Sequence, residues 1–205
     1  MSNFTVDVLE VGPMGANCYV IASTGTKEAC LIDPGGEPQR IKDFIKTRGL
    51  NLKFIINTHG HGDHILGNDY FSVPVYIHKL EKDYLMDPKK NLSGMFGLSL
   101  KLSEASKLLE DGDKVYLNDL ELEIIHTPGH TPGGISIKLD GVVFTGDTLF
   151  AGSVGRTDLP DGDEEMLFDS IKNKLFVLDD DTVVYPGHGE ETTIGKEKGT
   201  NPYII

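Results

Sequence analysis

Thr58-His59-Gly60-His61-Gly62-Asp63-His64 follows directly on Leu52-Lys53-Phe54-Ile55-Ile56-Asn57, a short and nearly continuous apolar run that reads as a strand covered on both faces. In extended backbone, residues two apart lie on the same side, so His59 and His61 face one point. Gly60 and Gly62 carry no side chain and tolerate positive φ, which lets the loop turn tightly enough for Asp63 and His64 to face a second point nearby. A role as helix N-cap would account for Asp63 alone, and strand capping for one histidine. Neither accounts for four nitrogen and oxygen donors with glycine spacers. The pattern points to a metal site of N and O ligands, with room for two adjacent ions.

Before this stretch the chain reads as strands over 4–9, 18–22 and 29–33, broken by Gly12-Pro13 and Ser23-Thr24-Gly25-Thr26, then a helix over 38–48 stopped by Gly49. After it, 83–113 shows no clear period and reads as helix and loop. Strand rhythm returns over 115–117, 120–126, 135–139 and 142–145, with Asp140-Gly141 as a hairpin turn. A helix is expected over 163–175, with Met166, Leu167, Ser170, Ile171 and Leu175 on its buried face and acidic residues in its first turn. A last strand is expected over 182–185. Two similar sets of strands and helices predict an α/β architecture: two sheets packed face to face with helices outside. At 205 residues, one domain over 1–205 is expected.

Composition narrows the partners. Hydrophobic residues make up 39% and charged residues 25%, near the soluble globular norm. With 32 Asp+Glu against 19 Lys+Arg the formal net charge is −13, a field that repels phosphate backbones and anionic lipid, so neither nucleic acid nor a membrane surface is expected as a partner. No apolar run approaches the about 20 residues of a membrane span. Cys18 and Cys30 are the only cysteines; far from CxxC spacing and set among strand formers, they read as buried, inert thiols. With no charged-then-apolar leader at the start, the expected compartment is the cytoplasm. Asp161-Gly162-Asp163 and Asp179-Asp180-Asp181 lack the calcium-loop pattern and read as solvated turns.

Three further residues share one layout, an apolar strand, a glycine and then a ligand-type side chain. They are His130 in Thr127-Pro128-Gly129-His130-Thr131-Pro132-Gly133-Gly134, Asp147 after Val142-Val143-Phe144-Thr145-Gly146, and His188 after Val183-Val184-Tyr185-Pro186-Gly187. Active-site loops leave strands at such places. His126 and His78 lack the glycine context and read as structural histidines.

Taken together, His59-x-His61-x-Asp63-His64, His130, Asp147 and His188 resemble the motifs of the metallo-β-lactamase superfamily. The likeness extends to Asp33-Pro34-Gly35-Gly36, Phe144-Thr145-Gly146-Asp147-Thr148-Leu149-Phe150 and Pro186-Gly187-His188-Gly189. Within that superfamily the chain is most similar to the short bacterial glyoxalase II-like (hydroxyacylglutathione hydrolase-like) enzymes, which end in a segment resembling Thr193-Ile194-Gly195-Lys196-Glu197 through Asn201-Pro202-Tyr203. The resemblance implies an αββα sandwich. It implies that His59, His61 and His130 hold one divalent metal ion, that Asp63, His64 and His188 hold a second, and that Asp147 bridges both. Zinc is the expected ion, and iron or manganese would accept the same donors. The helical C-terminal glutathione-binding domain of the longer enzymes is not expected. Hydrolysis of β-lactams is disfavoured, because Asp147 stands where those enzymes typically carry a cysteine.

Two such metals lower the pKa of a shared water toward neutrality and polarise a carbonyl. A thioester expels a thiolate whose conjugate acid has a pKa of about 8.5, so no separate general acid is required. The expected activity is hydrolysis of a small-molecule thioester of the S-lactoylglutathione type, with Asp63 and Asp147 at the catalytic centre. Arg156, in Gly155-Arg156-Thr157-Asp158, would contact a substrate carboxylate or pair with Asp158. Asp158 itself stands where the longer enzymes carry a tyrosine that touches glutathione. The same stretch resembles the persulfide dioxygenases of the superfamily, which hold a single iron through residues matching His59, His130 and Asp147. Persulfide oxidation is the alternative activity.

Overall fold

The computed structural model describes residues 3–204. Strand β1 (Phe4–Val11) turns through Gly12-Pro13-Met14-Gly15 into β2 (Ala16–Ser23), and β3 (Glu28–Ile32) lies antiparallel on the other side of β2. Every residue of β2 is buried, as befits a strand inside a sheet covered on both faces. Helix α1 (Pro38–Thr47), with proline in its first turn, crosses over to β4 (Asn51–Ile56), parallel to β3. The short helix α2 (Gly62–Ile65), β5 (Val75–His78) and β6 (Lys107–Leu109) complete a six-stranded mixed sheet in the order β1-β2-β3-β4-β5-β6.

Strands β7 (Lys114–Leu117), β8 (Leu120–His126), β9 (Ile135–Leu139) and β10 (Val142–Gly146) form an antiparallel meander. A small hairpin, β11 (Leu149–Phe150) with β12 (Ser153–Val154), precedes helix α3 (Glu164–Ser170). Strand β13 (Val183–Pro186) then joins β10 in parallel, β14 (Thr192–Thr193) pairs with β13, and α4 (Ile194–Thr200) follows. The second sheet runs β14-β13-β10-β9-β8-β7.

The period-2 alternation of strands sorts the core into layers. Tyr19, Ile21, Cys30, Ile32, Phe54 and Ile56 meet Val115, Leu122, Ile124, Ile137 and Phe144 between the sheets. Their neighbours Cys18, Val20 and Leu31 pack on the opposite face with Ile41 of α1. Across the molecule, Val143 and Val184 pack against Leu167, Ile171, Leu175 and Ile194. The result is the expected helix, sheet, sheet, helix sandwich. Both cysteines are buried and unpaired, and burial pushes both thiols up, away from the reactive thiolate. Among the described residues no helix is long and apolar enough to cross a membrane.

Several expectations need correction. The helix expected over 163–175 divides into α3 and a π-helical turn, Ile171–Leu175. Met166, expected on its buried face, is 43% exposed, because it lies about 100° around the helix from Leu167, which points into the core. Asp163 caps α3 by accepting from the Met166 N–H, so it is a cap as well as a turn residue. The segment 83–113 contains turns, a 3₁₀ turn Ser93–Phe96 and β6, but no α-helix.

Phe144 is fully buried where the sheets meet, edge-on to Tyr19 at 5.1 Å and stacked on Tyr185 at 5.3 Å. Phe144→Ala is expected to lower stability by about 3–5 kcal/mol, read as a shifted urea midpoint.

Candidate metal centre

Four loops leave the same edge of the sandwich and converge. The first continues β4. Thr58 donates both its N–H and its Oγ1–H to Asp33 (2.8 and 2.5 Å), and extended His61 leads into α2, which carries Asp63 and His64. His64 Nδ1 is 3.0 Å from Asp33 Oδ2. The other three loops come from the second sheet. His130 follows β8 and is oriented through Nδ1 by the Arg156 carbonyl at 2.8 Å; Asp147 follows β10; His188 follows β13, its Nδ1 3.2 Å from the Gly15 carbonyl.

The glycine before two of these ligands has a steric cause. A Cβ on Gly146 would lie 2.4 Å from Thr58 Oγ1, and one on Gly187 would lie 2.2 Å from Asp147 Oδ1 and 2.9 Å from His64 Cε1. Each loop passes directly against another.

The donor atoms of His59, His61 and His130 all lie within 4.8 Å of one another, as do those of Asp63, His64 and His188. His61 Nδ1 is 2.9 Å from His130 Nε2, and His188 Nε2 is 3.3 Å from both His64 Nε2 and Asp63 Oδ2. Two nitrogens on one tetrahedral ion at 2.0–2.1 Å stand roughly 3.3 Å apart, so the spacing suits shared coordination. Asp147 sits between the groups, with Oδ1 3.4 Å from His64 Nε2 and Oδ2 3.6 Å from His130 Nε2 and 3.7 Å from His188 Nε2. Among the described residues, His59 Nε2 and Asp147 Oδ1 are buried with no hydrogen-bond partner, a costly state for polar atoms that a cation would relieve. The residues present therefore fit two metal ions. Asp33 also lies near His59 and His64, but its oxygens are taken up by Thr58 and His64, which makes it a support for the ligands.

The electrostatics divide the imidazoles. Burial, reinforced by the neighbouring rings, holds His59 well below its ordinary pKa and His61 down at about 3, so both are neutral and ready to ligate. Burial acts the same way on His64, but Asp147, Asp63 and Asp33 outweigh it and carry this residue up to about 10. Burial likewise opposes the shift of Asp63, whose carboxyl is held below the usual range by His64 and His188.

Beside the donors lies a cavity of about 380 Å³ whose wall includes Met14, Leu92, Met95, Phe150, Val154 and Leu159 together with Arg156. The Arg156 side chain is exposed and paired bidentately with Asp158 at 2.7 and 2.9 Å. His78 and His126 stack on each other at 4.2 Å and belong to neither donor group. The seven residues singled out in the sequence gather at this edge, and two supports carry no signal in the sequence. Asn17 donates to the carbonyls of Pro186 and Gly189 and so fixes the His188 loop, and Glu81 lies in no motif at all. Asp33 was visible as part of a motif, without its role.

The sequence profile of the metallo-β-lactamase superfamily matches residues 11–188. The chain belongs to that superfamily. A relative from Bacillus subtilis, the probable metallo-hydrolase YqgX, is 41% identical over 96% of this chain and 95% of its own. The hydroxyacylglutathione hydrolase GloC of Haemophilus influenzae is 37% identical over 97% of both chains. The crystal structure of BLEG-1, a B3 metallo-β-lactamase, superposes with a TM-score of 0.94 at 37% identity, covering 98% of this chain and all of that one. At the level of the family, this member of the metallo-β-lactamase superfamily is a metal-dependent hydrolase.

Because Asp147, Asp63 and Asp33 outweigh burial to raise the pKa of His64, and Asp63 and Asp147 likewise raise that of His188, loading zinc at pH 7.5 is expected to release protons from this donor group. Calorimetric titration in two buffers of different ionisation enthalpy reads this directly. Heats that do not depend on the buffer would contradict it.

Proposed function

We propose that this chain hydrolyses small-molecule thioesters of the hydroxyacylglutathione type. The observation that carries the reading is the second donor group: Asp63, His64 and His188 stand complete beside His59, His61 and His130, with Asp147 between them. A single-iron persulfide dioxygenase would hold its ion through His59, His130 and Asp147 and leave that second group without an ion. The extensive similarity to GloC, a hydroxyacylglutathione hydrolase, supports the same substrate class.

Two divalent ions held by these donors would supply Lewis-acid polarisation of the thioester carbonyl and a water of lowered pKa. Zinc is the proposed ion, and iron or manganese suits the same N and O set. The chain's own residues do the rest. Asp147 is the proposed bridge, its buried Oδ1 making no hydrogen bond among the described residues. Asp63, held ionised by His64 and His188, contributes negative charge to the second ion. The apolar wall around Met14, Leu92 and Phe150 gives an acyl group a place to rest out of water. Exposed ion pairs are weak in water, so Arg156 can exchange Asp158 for a substrate carboxylate without rebuilding the site. Cleavage releases a thiolate, which needs no protonating side chain. Buried, unpaired Cys18 and Cys30 support a cytoplasmic setting.

The test is the initial rate of S-D-lactoylglutathione hydrolysis by protein of measured metal content. Turnover is expected with two ions per chain, and Asp147→Ala is expected to lower it at least about 100-fold. Absence of turnover at full loading would overturn the thioesterase reading. The similarity to BLEG-1 makes a β-lactam the next substrate in that case. One iron per chain, with oxygen uptake on glutathione persulfide, would establish the dioxygenase instead.

A further inference from the structure

Glu81 belongs to neither donor group, yet it is fully buried at the end of the 3₁₀ turn Lys79–Glu81 that follows β5. Its two oxygens are committed to two different loops. Oε2 accepts the Gly60 N–H at 2.9 Å, and Oε1 accepts the Gly133 N–H at 2.8 Å. Gly60 stands between His59 and His61 in the loop that continues the first sheet. Gly133 is three residues beyond His130, in the loop that joins β8 to β9 of the second. One carboxylate thus grips, from the same side, the two loops that deliver the first donor group.

The surroundings are built to this contact. A Cβ on Gly60 would lie 2.3 Å from Tyr84 Cβ and 2.9 Å from Glu81 Oε2, while one on Gly133 would lie 2.6 Å from Glu81 Cγ. Any side chain at either position would force the carboxylate and the amides apart. The segment bearing Glu81 is braced in turn: the Gly62 N–H donates to the Asn91 carbonyl at 2.8 Å, and the Tyr84 hydroxyl donates to Asp161 at 2.9 Å. A carboxyl with no exposure to water is costly to keep, and burial pushes it up to about 7 against the pull of the Thr131 hydroxyl and of the Gly133 and Gly60 amides. An apolar side chain would carry no such cost but could not join the two loops.

We propose that Glu81 is a positioning residue for the first metal ion: by holding the Gly60 and Gly133 amides together, it presets His59, His61 and His130 across the junction of the sheets before an ion arrives. The proposal rests on reading those three histidines as ligands of one ion, and not on which substrate is hydrolysed.

The test compares wild-type protein with Glu81→Gln, which keeps the shape but turns an N–H₂ toward one of the two amides. Stepwise zinc affinities come from competition with a chelating dye, and histidine ring resonances assign each step. The Gln variant is expected to fold, by far-UV circular dichroism and thermal midpoint, while the His59/His61/His130 step weakens about 10- to 100-fold, the scale for groups that orient ligands. The Asp63/His64/His188 step is expected to stay within about 3-fold of wild type on the same argument, and the visible spectrum of the cobalt-loaded variant to change. Unaltered affinities together with an unaltered cobalt spectrum would overturn the proposal.

Should the variant not fold, the metal-free wild type decides. Amide exchange at Gly60 and Gly133 is expected to be protected at least about 100-fold over an unstructured chain, whereas exchange at open-loop rates would refute a preset site. No readout here uses a substrate, so failure of thioester hydrolysis and failure of this proposal are told apart.

Discussion

The carboxylate of Asp33, buried just past the end of β3, accepts the Thr58 N–H and hydroxyl on one hand and faces His64 Nδ1 on the other. Charge-assisted hydrogen bonds of this kind are worth about 1.5–3 kcal/mol each, and here they also set positions. Thr58 is held where its carbonyl accepts the Ile135 N–H at 2.8 Å, which docks β9 of the second sheet against the end of β4. Gly146 passes over the same threonine with no room for a side chain, and Asp147 follows. From one anion, therefore, the chain of contacts reaches both sheets, the first histidine loop and the central aspartate. Asp33 takes a positive φ of 51°, a conformation that aspartate tolerates better than most residues.

What the sequence made legible follows from the range of each signal. Strands such as β7 and β8 announce themselves through side-chain alternation, β2 through a run of strand formers, and the donors through glycines placed where one loop must slide past another. Those signals are local. Strands β6 and β14, of three and two residues, exist because main-chain groups find partners already laid down by β5 and β13, and so short a stretch carries no period. The segment from Asp83 to Leu102 resisted reading for a related reason. It is organised by single polar side chains, such as Asn91 donating to the carbonyls of Tyr84 and Leu100, and by nothing that repeats. Glu81 is invisible in sequence because its partners, Gly60 and Gly133, are 21 and 52 residues away. Arg156 had two possible partners in the sequence; the structure pairs it with Asp158 and still leaves it on the cavity wall.

That unpatterned middle segment serves the site twice. Its Asn91 braces the histidine loop by accepting the Gly62 N–H, beside the grip of Glu81 just ahead of the segment; further along, Leu92 and Met95 form part of the cavity wall. The rigid end and the recognising end lie on one short stretch of chain. Methionine adapts its shape to what it meets, so this wall combines a fixed base with an accommodating rim. The net charge of −13 surrounds a centre where two cations would reverse the local field, which keeps anion attraction confined to the cavity.

The seven donors arrive from loops of both sheets, and this has a bearing on the life of the protein in a cell. An ion seated among them is a reversible cross-link between the halves of the sandwich. Ligands that bind only the folded state add stability by mass action, about 2.7 kcal/mol at a free concentration a hundredfold above Kd. With ions bound, how long each copy survives quality control would thereby be coupled to how tightly the cell buffers its transition metals. Starvation for metal would thin the population of the enzyme as well as silence it, and a single physical junction would act as both catalyst mount and nutrient gauge.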